Sequence, residues 1–438
     1  MPGRKEHFLL NPVEEPLYSE VANALAEALA EAANTSSINS DELAVLTGDA
    51  FSLFYMPWPV VKRKQLKSRL LEAARKAALY FTATTEYRVA HERTVFNIPR
   101  SLVWAAAFAK YVLETMEHNV SVDRAARVVA RSLKLSAKRL EEAAAELAEI
   151  YEILKREQRK TEEKRGTAIV TGKEARGGLP APVAGKAGAP LERAAKIAVM
   201  LVSNEMARKI VVLGGRIEAR FRWYRSTRRE SRRGTVNGYT LTSNPARALP
   251  REHALPDELW LAKLASGKWL AKRRMEEKLG MLIIAIDRSG SMSGDKTIWA
   301  RSVAYALVKL AAKRRQPIAL YFFDYNVHNI VTSYDEAIEA LLTVTSEGGT
   351  CIDCAIAHGL KLLQRYRDRT NTIVIITDGE DVVRLKPEEL RRHGARLIAV
   401  MIQGHNESLK RLAEESGGKY LSARLTEDEA LEVVDAAL

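Results

Sequence analysis

The chain has 438 residues and 48.8 kDa; it is 47% hydrophobic and 28% charged, with 68 basic against 55 acidic side chains and a net charge of +13. That apolar share excludes a disordered chain, the length suits two or three domains, and two cysteines exclude both a disulfide framework and a four-thiolate zinc site. The charge is uneven: residues 281–438 hold 20 basic and 22 acidic side chains, whereas the first 280 hold 48 and 33.

A basic half is drawn to acidic partners such as nucleic acid, anionic lipid or an acidic protein surface. The alternative is a solvated, heat-adapted surface, a thermophile's balance for which scarce glutamine beside abundant Arg, Lys and Glu also speaks. Met1 to Glu15 is polar and proline-bearing and reads as no signal peptide. The longest apolar runs, such as Leu282–Ile286 and Ile373–Ile376, are strand-length, so no transmembrane segment is expected. The expectation is a cytoplasmic protein, with peripheral attachment to a membrane as a variant of it.

In chain order, residues 1–165 read as an all-α domain. Val21, Leu25, Ala28 and Leu29 share a helix face, and Leu66, Leu70 and Ala73 repeat the pattern. Ser101 to about Met116 and Ser121 to about Leu133 are two further helices, each opened by a capping serine. Ser136 starts another, with Leu140, Ala143, Leu147, Ile150 and Leu154 as its stripe. Residues 166–190, rich in Gly, Ala and Pro, read as a flexible linker.

Residues 191–275 form a basic helical and connecting segment. Its first helix runs from Leu191 to about Leu213, with Gly214 and Gly215 as the stop. Arg216, Arg220, Arg222, Arg225, Arg228, Arg229, Arg232 and Arg233 follow, interleaved with Phe221, Trp223 and Tyr224. Such a stretch can grip phosphates while its rings stack on unpaired bases, or face lipid or an acidic protein, or pair within the chain. Turn signals and a short helix around Leu259–Leu264 complete the segment.

From 276 to 438 the rhythm is that of an α/β domain. Apolar strands at Leu282–Ile286, Ile318–Phe323, Thr372–Thr377 and Leu397–Ile402 alternate with helices at Thr297–Lys313, Asp335–Leu342 and Ile352–Tyr366. Val327–Val331 reads as an edge strand hairpinned to its predecessor, Lys419–Leu421 as another edge, and Glu427–Ala436 as a closing helix. Strands apolar on both faces imply a doubly wound, mostly parallel, Rossmann-like sheet covered on both sides.

Ligands of such sheets bind beyond the carboxyl ends of the strands. The first strand runs into Asp287-Arg288-Ser289-Gly290-Ser291-Met292, a loop reads Gly348-Gly349-Thr350, and a third strand ends in Asp378-Gly379. Two carboxylates and three hydroxyls, from Asp287, Ser289, Ser291, Thr350 and Asp378, therefore converge as hard oxygen donors suited to Mg²⁺, with Mn²⁺ or Ca²⁺ in its place. Gly290 is expected to let the loop turn sharply. A coordination position left open would present the cation to a partner's Asp or Glu.

Cys351 and Cys354 read as small buried packing residues, with a local disulfide or a redox pair as alternatives. Asp353, Glu380 and Asp381 either tune the field of the site or are solvated surface. His328, His358 and His405 lack metal-ligand spacing. The serines lack a nucleophile elbow and the chain has no Walker motif, so neither hydrolysis nor nucleotide turnover is expected.

Asp-x-Ser-x-Ser, then Thr, then Asp resembles the metal-ion-dependent adhesion site (MIDAS) of von Willebrand factor A (VWA) domains, with Asp287, Ser289, Ser291, Thr350 and Asp378 in its five positions. Arg288 departs from the smaller or uncharged residue of many members and is expected to point away from the cation. The resemblance narrows to the ViaA/CoxE-type proteins through Asn244-Pro245-Ala246-Arg247-Ala248-Leu249-Pro250, the helix after it and Trp299-Ala300. It implies a non-enzymatic adaptor acting beside a MoxR-type AAA+ ATPase, in a chaperone system that remodels proteins or installs cofactors. The competing reading resembles the Ro-type RNA-binding proteins, with the arginine stretch as the RNA grip.

Overall fold

A computed structural model describes residues 6–14, 16–33, 39–118, 120–171, 189–227, 236–242, 245, 248–274, 280–345, 348–364 and 370–438. The N-terminal part is helical: α1 (Leu17–Ala33), α2 (Ser40–Tyr55), α3 (Arg69–Thr82), α4 (Thr85–Thr94), α5 (Ile98–Glu117) and α6 (Val122–Thr171). α7 (Ala189–Ser203) packs on α1, α5 and α6, and α8 (Glu205–Thr227) follows it. α7 thus belongs to the bundle rather than to a connecting segment, whereas α8 packs both on bundle helices and, more extensively, on the C-terminal α/β unit. The expected linker begins inside α6, and its residues 172–188 lie outside the described residues.

Three local expectations are corrected. The break between Leu133 and Ser136 is absent, because Ser136 Oγ donates back to the Ser132 carbonyl at 2.7 Å instead of capping a new helix, and α6 runs on for 50 residues. α5 starts at Ile98, capped by Asn97, whose side chain accepts the Arg100 N–H; Ser101 Oγ donates to the Thr94 and Asn97 carbonyls inside the helix.

Gly214 and Gly215 do not stop α8 either. A Cβ on Gly214 would lie 2.6 Å from Tyr305 Cδ1, and one on Gly215 would lie 1.9 Å from Glu146 Oε1. Both glycines are there for close approach, which lets α8 lie directly against its neighbours.

Between the bundle and the α/β unit, β1 (Val236–Thr242) pairs antiparallel with β2 (Trp269–Arg274), a ribbon the turn signals alone did not reveal. α9 (Pro250–His253) and α10 (Asp257–Ser266) lie between them, and α10 realises the expected short helix. Trp269 is fully buried, with Trp260 edge-on to it and His253 stacked beside it. Asn244, Ala246 and Arg247 of the quoted motif lie outside the described residues.

The C-terminal unit comprises β3 (Leu282–Asp287), α11 (Asp295–Arg314), β4 (Ile318–Phe323), β5 (Val327–Val331), α12 (Tyr334–Thr343), α13 (Ile352–Leu363), β6 (Asn371–Thr377), α14 (Pro387–Arg392), β7 (Ala395–Ile402), α15 (Glu407–Glu415), β8 (Lys419–Ala423) and α16 (Glu427–Ala437). The six strands lie in the order β5-β4-β3-β6-β7-β8. Every pairing is parallel except β4 with β5, so the expected doubly wound sheet is present, and its winding reverses at β3. The crevice at a topological switch point opens beyond the ends of β3 and β6.

The two faces of the sheet feed different cores. Ile283, Ala285, Ile373 and Ile375 pack with α13, α14 and α15. Leu282, Ile284, Ile286, Val374 and Ile376 face α11, α12 and α16, and that core continues without interruption into the helical bundle. α11 is accordingly buried at nearly every position from Trp299 to Ala311, as a helix between two layers must be.

Candidate metal centre

β3 ends at Asp287, and β6 at Thr377 with Asp378 just beyond, so the neighbouring strands deliver their carboxylates to the same crevice. Ser289 N–H donates to Asp287 Oδ1 at 2.8 Å, which folds the loop back over the strand end. Ser289 Oγ and Ser291 Oγ are 3.1 Å apart, and Ser291 Oγ donates to Asp378 Oδ1 at 2.8 Å. Thr350 Oγ1 donates to Asp287 Oδ2 at 3.4 Å. One chain of hydrogen bonds thus links Asp287 to Thr350, and another links Ser289 through Ser291 to Asp378. The three loops bring all five expected residues together.

Asp287 is buried, and that burial, with the Asp378 charge adding to it, pushes its carboxyl above the usual carboxylate range despite hydrogen bonds from Thr377 and Ser289. A buried carboxylate whose neighbours are hydroxyls and a second carboxylate is short of positive charge. Among the described residues no three His, Cys, Asp or Glu side chains converge as ligands. The donors here are mostly hydroxyls, and an all-oxygen set of this kind fits a hard divalent cation better than zinc.

Sequence reasoning missed three partners. Thr377 Oγ1 donates to Asp287 Oδ2 at 2.5 Å while accepting the Gly379 N–H at 2.9 Å, so it fixes both the carboxylate and the loop carrying Asp378. Lys296, in the first turn of α11, places Nζ 2.6 Å from Asp378 Oδ2. Asp324, just after β4, forms an ion pair with Arg288, its Oδ2 3.2 Å from Nε, and lies 2.9 Å from His328 Nε2. Arg288 is therefore engaged by a carboxylate outside the five-residue set, as its expected orientation requires.

Gly290 needs no special backbone: its φ lies outside the left-handed region, and a Cβ there would meet nothing within 4 Å. Among the loop glycines it is Gly348 that combines a left-handed backbone, with φ of +101°, and a close approach, a Cβ there falling 2.9 Å from Asp324 Cβ. Its carbonyl accepts the Gly290 N–H at 3.2 Å, stitching the first and second loops together.

Cys351 and Cys354 form a disulfide, and Cys354 is exposed, so the pair is not buried packing. Asp353 accepts the N–H groups of Arg384 and Leu385, and Asp381 that of Ile352, so both tie the Asp378 loop to α13; Glu380 is exposed. His358 packs edge-on to Tyr321, and His405 pairs with Glu407.

The described arginines of the basic stretch are largely engaged within the chain. Arg216 lies 3.7 Å from Glu142, Arg222 pairs with Glu218 at 2.6 Å, and Arg220 reaches Asp428 at 2.8 Å and Glu427 at 3.3 Å on α16. The Arg225 side chain and Arg228, Arg229, Arg232 and Arg233 lie outside the described residues. No helix among the described residues is long and apolar enough to cross a membrane.

Comparison with known proteins places residues 282–380 on the family model of the von Willebrand factor type A domain. An uncharacterized protein of Methanocaldococcus jannaschii is 26% identical over 241 residues, which is 50% of this chain and 55% of that protein. A second protein of the same organism is 32% identical over 29% of this chain and 34% of its own length. A protein of the Acidianus two-tailed virus, described as containing a VWFA domain, is 26% identical over 37% of this chain and 20% of its own. The chain spans about half or less of the length of these curated relatives.

Among solved structures, BatB from Bacteroides thetaiotaomicron is 17% identical over 36% of this chain and 96% of its own, with a TM-score of 0.31. The ArnB paralog VWA2 from Sulfolobus acidocaldarius is 16% identical over 38% and 47%, with a TM-score of 0.27.

Proposed function

We propose that the C-terminal unit is a protein–protein interaction module that presents a divalent cation, Mg²⁺ in the first instance, to a carboxylate of a partner. The observation that carries this reading is the gathering of Asp287, Ser289, Ser291, Thr350 and Asp378 at the switch point of the sheet, joined by hydrogen bonds and rich in hydroxyls. The serines, the threonine and the aspartates would hold the cation, and the cation would supply positive charge to an incoming acid. With only two carboxylates in the set, a divalent ion keeps appetite for a third.

Among the described residues the donors, Thr377 and Lys296, whose ammonium is paired with Asp378, are the polar side chains placed at the cluster, which supports an adaptor over a metal-dependent hydrolase. The partner we favour is a MoxR-type AAA+ ATPase, as the ViaA/CoxE resemblance implies, with the protein working from the cytoplasm in a chaperone system. Among the described arginines of the basic stretch, Arg216, Arg220 and Arg222 are engaged by the chain's own carboxylates, which favours pairing within the chain at these three positions.

The test is binding of a purified MoxR-type ATPase by the full chain, with and without EDTA, and by Asp287→Ala and Thr350→Ala. Chelation and either substitution are expected to weaken binding together. Binding indifferent to both would rule out a metal-bridged contact.

A further inference from the structure

Asp378 lies at the rim of the crevice, yet its side chain is only 4% exposed. A carboxylate so covered needs positive charge and full hydrogen bonding. Its Oδ1 accepts from Ser291 Oγ at 2.8 Å, and its Oδ2 is held by Lys296 Nζ at 2.6 Å.

Lys296 is an odd residue for its place. It occupies the first turn of α11, where unpaired N–H groups and the helix dipole disfavour a cation. The helix that carries it does not give way: Trp299 is buried one turn later, and its Nε1–H donates to the Thr426 carbonyl at 2.9 Å. The ammonium of this partly exposed side chain is therefore delivered to Asp378 from a fixed element.

We propose that Lys296 is a resident counter-cation of this site, competing with a divalent ion for Asp378 and so setting how tightly that ion is held. The proposal rests on the metal-presenting reading above. Asp287 and Asp378 bring two negative charges, and Lys296 cancels one of them before any ion arrives. A divalent cation then meets a net of one negative charge, and to gain Oδ2 it must push the ammonium aside. Affinity in oxygen-donor sites follows the count of ligand charges, so a lysine here weakens binding. The same residue keeps Asp378 paired when no divalent ion is bound, so the loops hold their arrangement in either condition.

The experiment is Mg²⁺ titration calorimetry on the full chain and on Lys296→Met, Lys296→Arg and Asp378→Asn, with thermal unfolding in EDTA and in Mg²⁺. Lys296→Met is expected to bind Mg²⁺ at least about ten-fold more tightly, to unfold earlier in EDTA, and to gain more from Mg²⁺ than the unaltered chain. Lys296→Arg, which keeps the charge, is expected to stay close to the unaltered affinity. Equal or weaker Mg²⁺ binding by Lys296→Met, with binding by the unaltered chain abolished in Asp378→Asn, would overturn the competition and leave the metal site standing. Absence of Mg²⁺ uptake in every variant would overturn both.

Discussion

The ammonium of Lys309, on α11, lies 2.8 Å from Glu146 Oε2 on the long helix α6, with its side chain fully buried. Glu149 is 3.0 Å away and Glu218, itself nearly inaccessible, 3.8 Å away, so three carboxylates of the helical bundle converge on one lysine of the α/β unit. Tyr305 adds a hydroxyl, which donates to Glu146 at 3.1 Å. Removing the cation strands Glu146 above all, since Lys313 still lies 3.0 Å from both Glu149 and Glu218; breaking a buried pair typically costs about 3–5 kcal/mol. Lys309→Met is expected to lose that much in urea unfolding, and the bundle and the sheet are expected to lose structure together, as followed by far-UV dichroism and buried tryptophan fluorescence.

The same cluster predicts an acid limb. Burial pushes the Glu149 carboxyl up, but Lys309 and Lys313 outweigh it and hold the group down to about 2, against an ordinary value of 4.5. A carboxyl lowered on folding contributes stability above its unfolded value and loses it as pH falls toward the folded one. Glu149 therefore contributes a decline between about pH 4.5 and 2. Glu146 has the opposite sign, because burial raises its carboxyl above the ordinary range and its contribution is lost as pH rises through that raised value. Stability measured against pH is expected to fall less steeply in acid for Glu149→Gln and more steeply for Glu146→Gln.

Alanine in place of glycine inside a helix ordinarily stabilises it by about 1 kcal/mol. Gly215→Ala is expected to do the reverse, because its methyl group would sit 1.9 Å from Glu146 Oε1 and push that carboxylate off Lys309. Overpacking of this kind costs about 1–3 kcal/mol. A midpoint shift toward lower denaturant checks the sign; a shift toward higher denaturant would show that Glu146 is free to move away.

Thr377 touches no cation in the proposed arrangement, yet it holds Asp287 Oδ2 at 2.5 Å. Partners of this kind orient metal ligands, and their loss costs about ten- to a hundred-fold in affinity. Thr377→Val keeps the shape of the side chain and should weaken Mg²⁺ binding by about that factor. Its cost in folding should be about 2–4 kcal/mol, for the two lost hydrogen bonds to Asp287 and Gly379. Calorimetry and denaturation on the same sample separate the two effects.

The α/β unit was legible because its strands are short apolar runs that break at Asp287 and Asp378, and because a strand end is where such sheets keep their ligands. The five donors could be read in order along the chain for the same reason. Lys296, Thr377 and Asp324 could not, since each matters through a contact across loops, and a lone lysine or threonine carries no spacing signal. A threonine directly before a strand-end aspartate, as at Thr377-Asp378, was the one available hint.

The helical half shows the converse limit. Ser136 and Gly214-Gly215 have the composition of helix ends, but a back-bonded hydroxyl and two close approaches made them interior positions. α2 escaped notice because its apolar positions are not confined to one stripe: it buries Leu43, Val45, Leu46, Ala50, Phe51, Leu53 and Phe54 almost all round, whereas α4 buries only Tyr87, Ala90 and Thr94 in ten mostly polar residues. The two halves looked separable by charge, whereas the charges of α6 and α8 are partly spent on α11.

Because α11 is wetted on so few sides, the C-terminal unit cannot be cut out cleanly for laboratory use. A fragment beginning near residue 276 would lay bare Tyr305, Lys309 and the rest of the strip that α6 and α8 cover, a greasy surface with an orphan charge in its middle. Such a piece invites clumping, so cation affinity is to be measured on the whole chain.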